Sequence, residues 1–396
     1  MDWSYQAFLI EHFAYRGFGA LEGPSRAMGG YLLFFLTLII QALNQRDSII
    51  KFLITVLIPL SVIPNILVYS YSSDKIVIPL LVIFQLLAIA FFSKIHISFK
   101  AISLNDRTSR RVLIAVLLFG ILPFIITYGL RINIGALLLR DIYEARDSAA
   151  ESSNLYSRYF FSQISKILVP FVIIYGWMRN SKFMIVLGIL IGLYLYLINP
   201  HKSVLFSLIV VLAFAFLKSW KIRTNIVFIG FLVVLLIGRF LTEFKEDILF
   251  ESLITRRIFF VPAILNLGYF EVFEHTKILL SNSILSGLVD YPYNLPPANL
   301  VAGRFLGDSE IHSNNGVIST GYMNFGVAGA LGNIIFIAMI ISYIKALKLN
   351  GRLGGVVIVV IMTFLSSSLF TSLLTHGVIL FLVLSQFIFK NSSNWK

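Results

Sequence analysis

Eleven apolar stretches, at approximately 29–43, 52–71, 76–93, 112–130, 164–178, 183–198, 203–217, 224–242, 322–344, 353–373 and 375–389, occupy most of this 396-residue chain. About 17 to 25 mostly apolar residues are enough to cross a hydrocarbon core, so the pattern restricts the chain to an all-α polytopic membrane protein of about eleven transmembrane helices. Composition agrees: 58% of residues are hydrophobic, 13% are charged, and the mean hydropathy is +0.88, more apolar surface than a soluble core can bury. The series is broken once at length, over residues 243–321, and chemistry is expected in that break.

The distribution of basic residues orients the chain. The links at 44–51, 94–111, 178–182, 218–223 and 345–352 and the tail from 390 together hold 17 of the 32 Lys and Arg residues but only two acidic ones, Asp47 and Asp106. The positive-inside rule makes this set cytoplasmic. The opposite face then carries residues 243–321, a first external loop at 131–163 and the tight link NPHKS at 199–203. Residues 2–27 read as an amphipathic interfacial segment, because they lack the basic start and uninterrupted apolar centre of a cleavable signal. No internal repeat or separate soluble domain interrupts the chain, which reads as one membrane domain, 1–396, with two external elaborations.

Several chemistries have no residues to carry them. There is no cysteine, hence no disulfide, thiol nucleophile or thiolate metal site. GxxxxGK[ST], HExxH, GxSxG and Cys/His metal spacings are also missing, so ATP-driven transport and zinc proteolysis fit poorly and no metal or cofactor is expected. The net charge of +13 sits in short links between apolar segments, which suits lipid headgroups rather than nucleic acid.

Cations gather on the external side. Arg256 and Arg257 are adjacent in TRRIFFVP, Arg239 lies in the last apolar turn of the eighth stretch, Lys202 lies in NPHKS, and Arg140, Arg146 and Arg158 punctuate the first loop. Guanidinium groups bind two phosphate oxygens at once, and lysine acts as a point charge, so a lipid-linked phosphate is the expected ligand. Local ion pairing with Asp141, Glu144, Asp147 and Glu151 competes for Arg140 and Arg158, whereas for Arg146 the two roles stay open. Snorkelling to the interface competes for Arg239 and Lys202. His312 lies in EIHSNNGVISTGYMNFG beside Glu310, Asn314 and other amides and hydroxyls suited to a sugar, and imidazole accepts protons near neutral pH. HSNNG also reads as an ordinary turn before a helix. Tyr269, Phe270, Tyr291, Tyr293 and Tyr322 would stack on sugar faces or anchor the interface, and YPYNLPP at 291–297 would form a stiff cover.

Three segments carry a resemblance: YEARDSAAESSNLYSRYFF before the fifth stretch, the basic link NPHKS, and TRRIFFVPAILNLGYFEVFEH followed by HSNNGVISTGYMNFGVAGALG. Across nearly its whole length the chain resembles the O-antigen polymerases (Wzy). That resemblance implies a metal-independent membrane glycosyltransferase of the GT-C class in the bacterial inner membrane, with its active face periplasmic. It would join undecaprenyl-pyrophosphate-linked oligosaccharide repeat units for lipopolysaccharide, alongside a chain-length regulator. By the same resemblance Arg256 and Arg257 match the arginine opening the family's long-loop segment, Lys202 matches the basic residue of its short link, and His312 resembles the histidine of the related O-antigen ligases. The residue chemistry is compatible: Arg256, Arg257, Lys202 and Arg239 would stabilise a departing pyrophosphate, His312 or Glu310 or Asp308 would take the acceptor proton, and Arg146, Asn314 and Tyr269 would contact substrate. An O-antigen ligase is the nearer alternative. A lipid-linked oligosaccharide flippase is the farther one, since a flippase should carry polar residues through its spans and two similar halves.

Overall fold

The computed structural model describes residues 1–20, 23–43, 48–95, 104–129, 142–217 and 219–390; Arg140, Asp141 and His96 lie outside them. Among the described residues the fold is helical apart from one isolated bridge between Ser286 and Val289. In hydrocarbon a helix satisfies its own backbone donors and acceptors, which is why apolar runs of this length take that form. In chain order the helices are α1 (2–13), α2 (Pro24–Leu43), α3 (Ile49–Ser72), α4 (Val77–Phe92), α5 (Asp106–Tyr128), α6 (Ile142–Glu151), α7 (Leu155–Met178), α8 (Lys182–Ile198), α9 (Lys202–Ala215), α10 (Trp220–Lys245), α11 (Leu249–Val272), α12 (297–306), α13 (Val317–Ala346), α14 (Gly351–Ser366) and α15 (Val378–Phe389).

Among the described residues each of the eleven apolar stretches overlaps a helix, although the helix of the 353–373 stretch stops at Ser366. Seven helices, α2, α3, α5, α7, α10, α11 and α13, are long and apolar enough to cross a membrane, whereas α4, α8, α9, α14 and α15 are shorter apolar helices. The long helices include one not anticipated, α11, which lies inside the polar interruption. Glu251, Arg256, Arg257 and Glu271 break its apolar run and hide it from a hydropathy reading.

The chain divides into two compact units. The first comprises Met1–His96, Thr224–Tyr343 and Phe364–Leu369, and the second Ile97–Arg223, Ile344–Thr363 and Phe370–Lys396.

In the first unit, α2 and α10 leave most of their apolar surface exposed, including Tyr31, Phe35, Phe228 and Ile229, as lipid-facing helices do. An open apolar groove of about 510 Å³ runs between them and α3, lined by Phe34, Ile63, Ile66, Phe231 and Leu235 among others. The two ends of α11 are tied to the same end of this unit. Glu251, at its start, pairs with Arg239 near the C-terminus of α10, and Glu274, just past its end, pairs with Lys75 in the link after α3 at 2.8 Å. Between these two ties the helix packs against α3 and α10, with Phe259 against Phe231 of α10 at 5.7 Å and Asn266 bonded to Asn65 of α3.

The N-terminal segment differs from the interfacial reading. Tyr5, Phe8, Leu9, Phe13 and Phe18 are buried; Tyr5 hydrogen-bonds Ser72 Oγ at 2.5 Å and stacks on Tyr71. These five side chains are covered by protein, whereas Trp3 and Tyr15 stay exposed.

The chain's return after the interruption is also bent. Phe325 and Gly326 leave helical geometry, Gly326 with φ of 63°, so residues 317–324 fold back on 327–346. The approach is so close that a Cβ on Gly329 would sit 2.2 Å from the Gly321 carbonyl oxygen.

The second unit is built around α7 and α8, with α9 packed against both. A Cβ on Gly188 of α8 would lie 2.5 Å from Ile173 Cγ1 of α7, so that glycine sets their spacing. At one end Asp106 accepts from Tyr175 and pairs with Arg179 at 2.8 Å.

Candidate functional site

The polar interruption of the first unit is organised by a buried amide network. Asn65 of α3 donates to Ser61 O at 2.7 Å, and Asn266 of α11 donates to Asn65 Oδ1 at 2.9 Å. Asn266 Oδ1 accepts from Asn315 Nδ2 at 3.0 Å and from Ser319 Oγ at 2.5 Å, and Asn315 also donates to Pro262 O and Ser319 Oγ. All four side chains are buried. A cavity of about 20 Å³, room for roughly one water, lies beside them between Ser61, Asn65, Gln85, Asn266 and Gly316. The network fastens the segment before α13 to α3 and α11.

That fastening divides HSNNG. Ser313, Asn315 and Gly316 face inward and His312 and Asn314 are exposed. Tyr269 donates to Ser313 O at 3.1 Å, and Gly316 packs beneath the carbonyls of Phe364 and Leu365, where a Cβ would be 2.7 Å from either oxygen. The motif is a turn, as its composition allows, and the turn presents two outward side chains.

His312 is oriented by a neighbouring amide. Asn299 at the start of α12 donates its Nδ2 to Ser309 O at 2.7 Å, which turns its Oδ1 toward His312 Nδ1 at 3.1 Å. Since that amide oxygen can only accept, Nδ1 is the donor and Nε2 lies on the ring edge away from this contact. A second residue thus orients the imidazole and leaves its basic nitrogen free, the arrangement a general base requires.

At the other end of α12 three arginines gather. Arg16 donates to Leu306 O at 2.7 Å, the Arg256 guanidinium lies over the Phe13 ring at 4.2 Å and donates to Ser252 Oγ at 3.2 Å, and Arg257 is exposed. Arg16 and Arg257 both act on Arg256 as like charges through space. Among the described residues no carboxylate lies within ion-pair distance of any of the three, and Arg256 Nε is buried without a partner. Gly17, with φ of 86°, turns the chain at this point, and a Cβ there would meet the Phe305 ring at 2.8 Å. From Asn299 to Leu306 is seven residues, so about 10 Å of helix separates the histidine from the nearest arginine anchor. Arg16 was not among the expected site residues; its place depends on Phe13 packing under Arg256, a contact across some 240 positions.

Other expected residues are placed differently. Arg239 is buried and neutralised by Glu243 at 2.5 Å and Glu251 at 3.3 Å, with its guanidinium over Trp3, so its charge is used inside the protein rather than offered to a phosphate. Tyr269 belongs to the core with Leu265, Val272, Phe273, Val301 and Met323, and its buried ring offers no face to a sugar. Phe270 and Tyr322 stack on each other at 3.7 Å, Tyr322 also carries Lys277 over its ring, and the Tyr291 and Tyr293 hydroxyls donate to Leu295 O and Thr276 O. These aromatics hold the interruption together. Glu310 and Asp308 are exposed, with the Glu310 N–H bound to Asp308 Oδ1. Lys75 holds the Glu274 carboxyl below the usual range, chiefly through their hydrogen bond.

In the second unit Lys202 is exposed at the first turn of α9 and Arg146 is exposed on α6. Arg158 donates to Ser153 Oγ at 3.0 Å.

No known protein family, curated protein or solved structure matches the chain. Among the described residues no group of His, Asp and Glu has the arrangement of a metal site. What the fold and site define is an all-helical, polytopic protein with apolar helices suited to a membrane, bearing at one end of its first unit three uncompensated arginines and an oriented histidine.

Proposed function

We propose that the protein joins lipid-linked oligosaccharide repeat units at the periplasmic face of the bacterial inner membrane, as an O-antigen polymerase of GT-C type. The observation that carries this reading is the pairing, at the two ends of α12, of Arg16, Arg256 and Arg257 without carboxylates and His312 with a free Nε2. In the reaction the acceptor hydroxyl attacks the anomeric carbon of the donor glycan, and the bond from that carbon to the pyrophosphate oxygen breaks. The hydroxyl proton passes to His312 Nε2, and the departing undecaprenyl pyrophosphate gains negative charge that fixed guanidinium groups stabilise. Glu310 and Asn314 line the acceptor side in this scheme, and a chain-length regulator works beside the enzyme. Residues 243–321 face the periplasm, and about eleven helices cross the bilayer.

The test is the lipopolysaccharide pattern of a deletion strain carrying Arg257→Ala or His312→Asn at native expression. Each variant is expected to insert and to yield a single repeat unit in place of a ladder. A normal ladder from Arg257→Ala removes the arginine from the site, and one from His312→Asn removes the base. The free Nε2 favours a ligase as the second reading, because the resemblance of His312 is to the ligase histidine. Undecaprenyl-linked polymer accumulating beside an unmodified lipid A core in the deletion strain would select the ligase.

A further inference from the structure

The small cavity of the first unit has a lining that the amide network leaves unfinished. Gln85 is the one polar side chain of α4, and a lone amide among apolar neighbours needs a partner from elsewhere in the fold. It is 2% exposed and lines the cavity, yet its Oε1 is buried without a hydrogen-bond partner among the described residues, a costly arrangement for an amide oxygen. The other unfinished acceptors are backbone carbonyls. Since α14 stops at Ser366, the carbonyls of its last turn have no intrahelical donors. Phe364 and Leu365 lie in that turn, belong to the first unit and line the same cavity. Among the described residues neither carbonyl takes a hydrogen bond from outside the helix. Both oxygens converge on Gly316, itself part of the lining, where a Cβ would be 2.7 Å from each. Ser61, in the widened turn of α3 at 58–62, Asn65 and Asn266 complete the polar lining, and no Lys, Arg, His, Asp or Glu belongs to it.

We propose that this cavity binds a sodium ion through Gln85 Oε1 and the carbonyl oxygens of Phe364 and Leu365. Three unpartnered acceptors line about 20 Å³ of space, the room of one water. A water molecule has too few protons for all of them, whereas a cation is shared by every oxygen around it. Amide and carbonyl oxygens are hard ligands, and the C-terminal ends of interrupted membrane helices offer carbonyls of this kind to sodium. The last turn of α14 also contributes the negative end of its helix dipole. An uncharged lining matches a single positive charge, because a divalent ion in an oxygen site draws on carboxylates. The room of one water suits sodium better than the larger potassium. Bound there, the ion braces α4 and the end of α14 beside Gly316, four residues beyond His312, and touches no substrate. The site stands whether or not the protein is a polymerase, since it uses neither the arginine trio nor the His312 side chain.

The test uses the full-length protein in nanodiscs of neutral lipid, with the unfolding midpoint followed as sodium chloride replaces choline chloride at constant ionic strength, and potassium chloride in a parallel arm. The midpoint should climb with sodium once the site begins to fill, and less with potassium. Gln85→Leu keeps most of the side-chain volume in an apolar helix and should lose the sodium response. In Gln85→Glu, proton and sodium compete for one oxygen, so the sodium concentration at which the rise sets in should fall roughly tenfold per pH unit while that carboxyl stays protonated. A side chain that only packs would not produce that dependence. Arg257→Ala should respond like the native protein, which separates this site from the proposed active site. Equal midpoints in sodium and choline, or in sodium and potassium, overturn the proposal, as does an undiminished sodium response in Gln85→Leu or a pH-independent one in Gln85→Glu.

Discussion

Replacing Asn266 and Asn315 by alanine, singly and together, tests whether the buried amides hold the His312 turn in place. Asn315 Nδ2 shares its two protons among Pro262 O, Asn266 Oδ1 and Ser319 Oγ, and Asn266 links that group to Asn65. Hydrogen bonds between membrane helices are worth about 0.6 to 1.7 kcal/mol each, so Asn315→Ala should cost on the order of 2 kcal/mol. Asn266→Ala should cost about as much or more, because it takes the acceptor from both Asn315 and Ser319 and strands the Asn65 oxygen at roughly 1 to 3 kcal/mol for a buried unsatisfied group. The double variant should fall short of the sum by about 0.5 to 3 kcal/mol, since each single change already breaks the bond they share. Unfolding midpoints and reversible denaturant titrations of purified protein in one detergent measure all three, with Asn314→Ala as an exposed control that should leave stability unchanged. Because Asn315 lies three residues beyond His312, its loss should also reduce polymer formation under conditions where the protein remains folded. Strict additivity of the two alanines, or a native midpoint for Asn315→Ala, would refute the network as the element that fastens the turn.

Arg239→Leu leaves Glu251 buried without its cation and should cost about 3 to 5 kcal/mol, read as loss of monodisperse protein on gel filtration; adding Glu251→Gln should recover part of it. Gly316→Ala places a methyl 2.7 Å from two backbone oxygens that cannot rotate away, so it should cost about 1 to 3 kcal/mol in the same unfolding assay. His201 has a folded value near 4 against an ordinary 6.5, so its stabilising contribution is whole above the unfolded value and is lost as pH falls from 6.5 toward 4. The loss amounts to at most about 3.4 kcal/mol at 1.36 per unit, and an unfolding profile against pH should flatten in His201→Phe.

The positions of most helices could be read from hydropathy, because a run such as 52–71 or 224–242 has one stable answer in lipid. The candidate site was legible only in part, and for the opposite reason. Arg256 and Arg257 draw attention as neighbours in sequence, yet they also interrupt α11, so the residues that mark the site conceal the helix that carries it. Arg16 could not be joined to them from a distance of 240 positions, and Arg239 looked equally available until its two carboxylates were located in space. One signal could have been followed further: Asn65 is a lone amide within an otherwise apolar run, and such a residue in hydrocarbon needs a partner from another helix. The same rule sorts the polar groups of the folded chain. Those that find partners, Asn266, Asn315, Arg239 and Glu251, are spent on holding the protein together. Arg257 and the Nε2 of His312 have none among the described residues, and a chain that must satisfy its polar groups internally leaves groups like these open where something else is to bind.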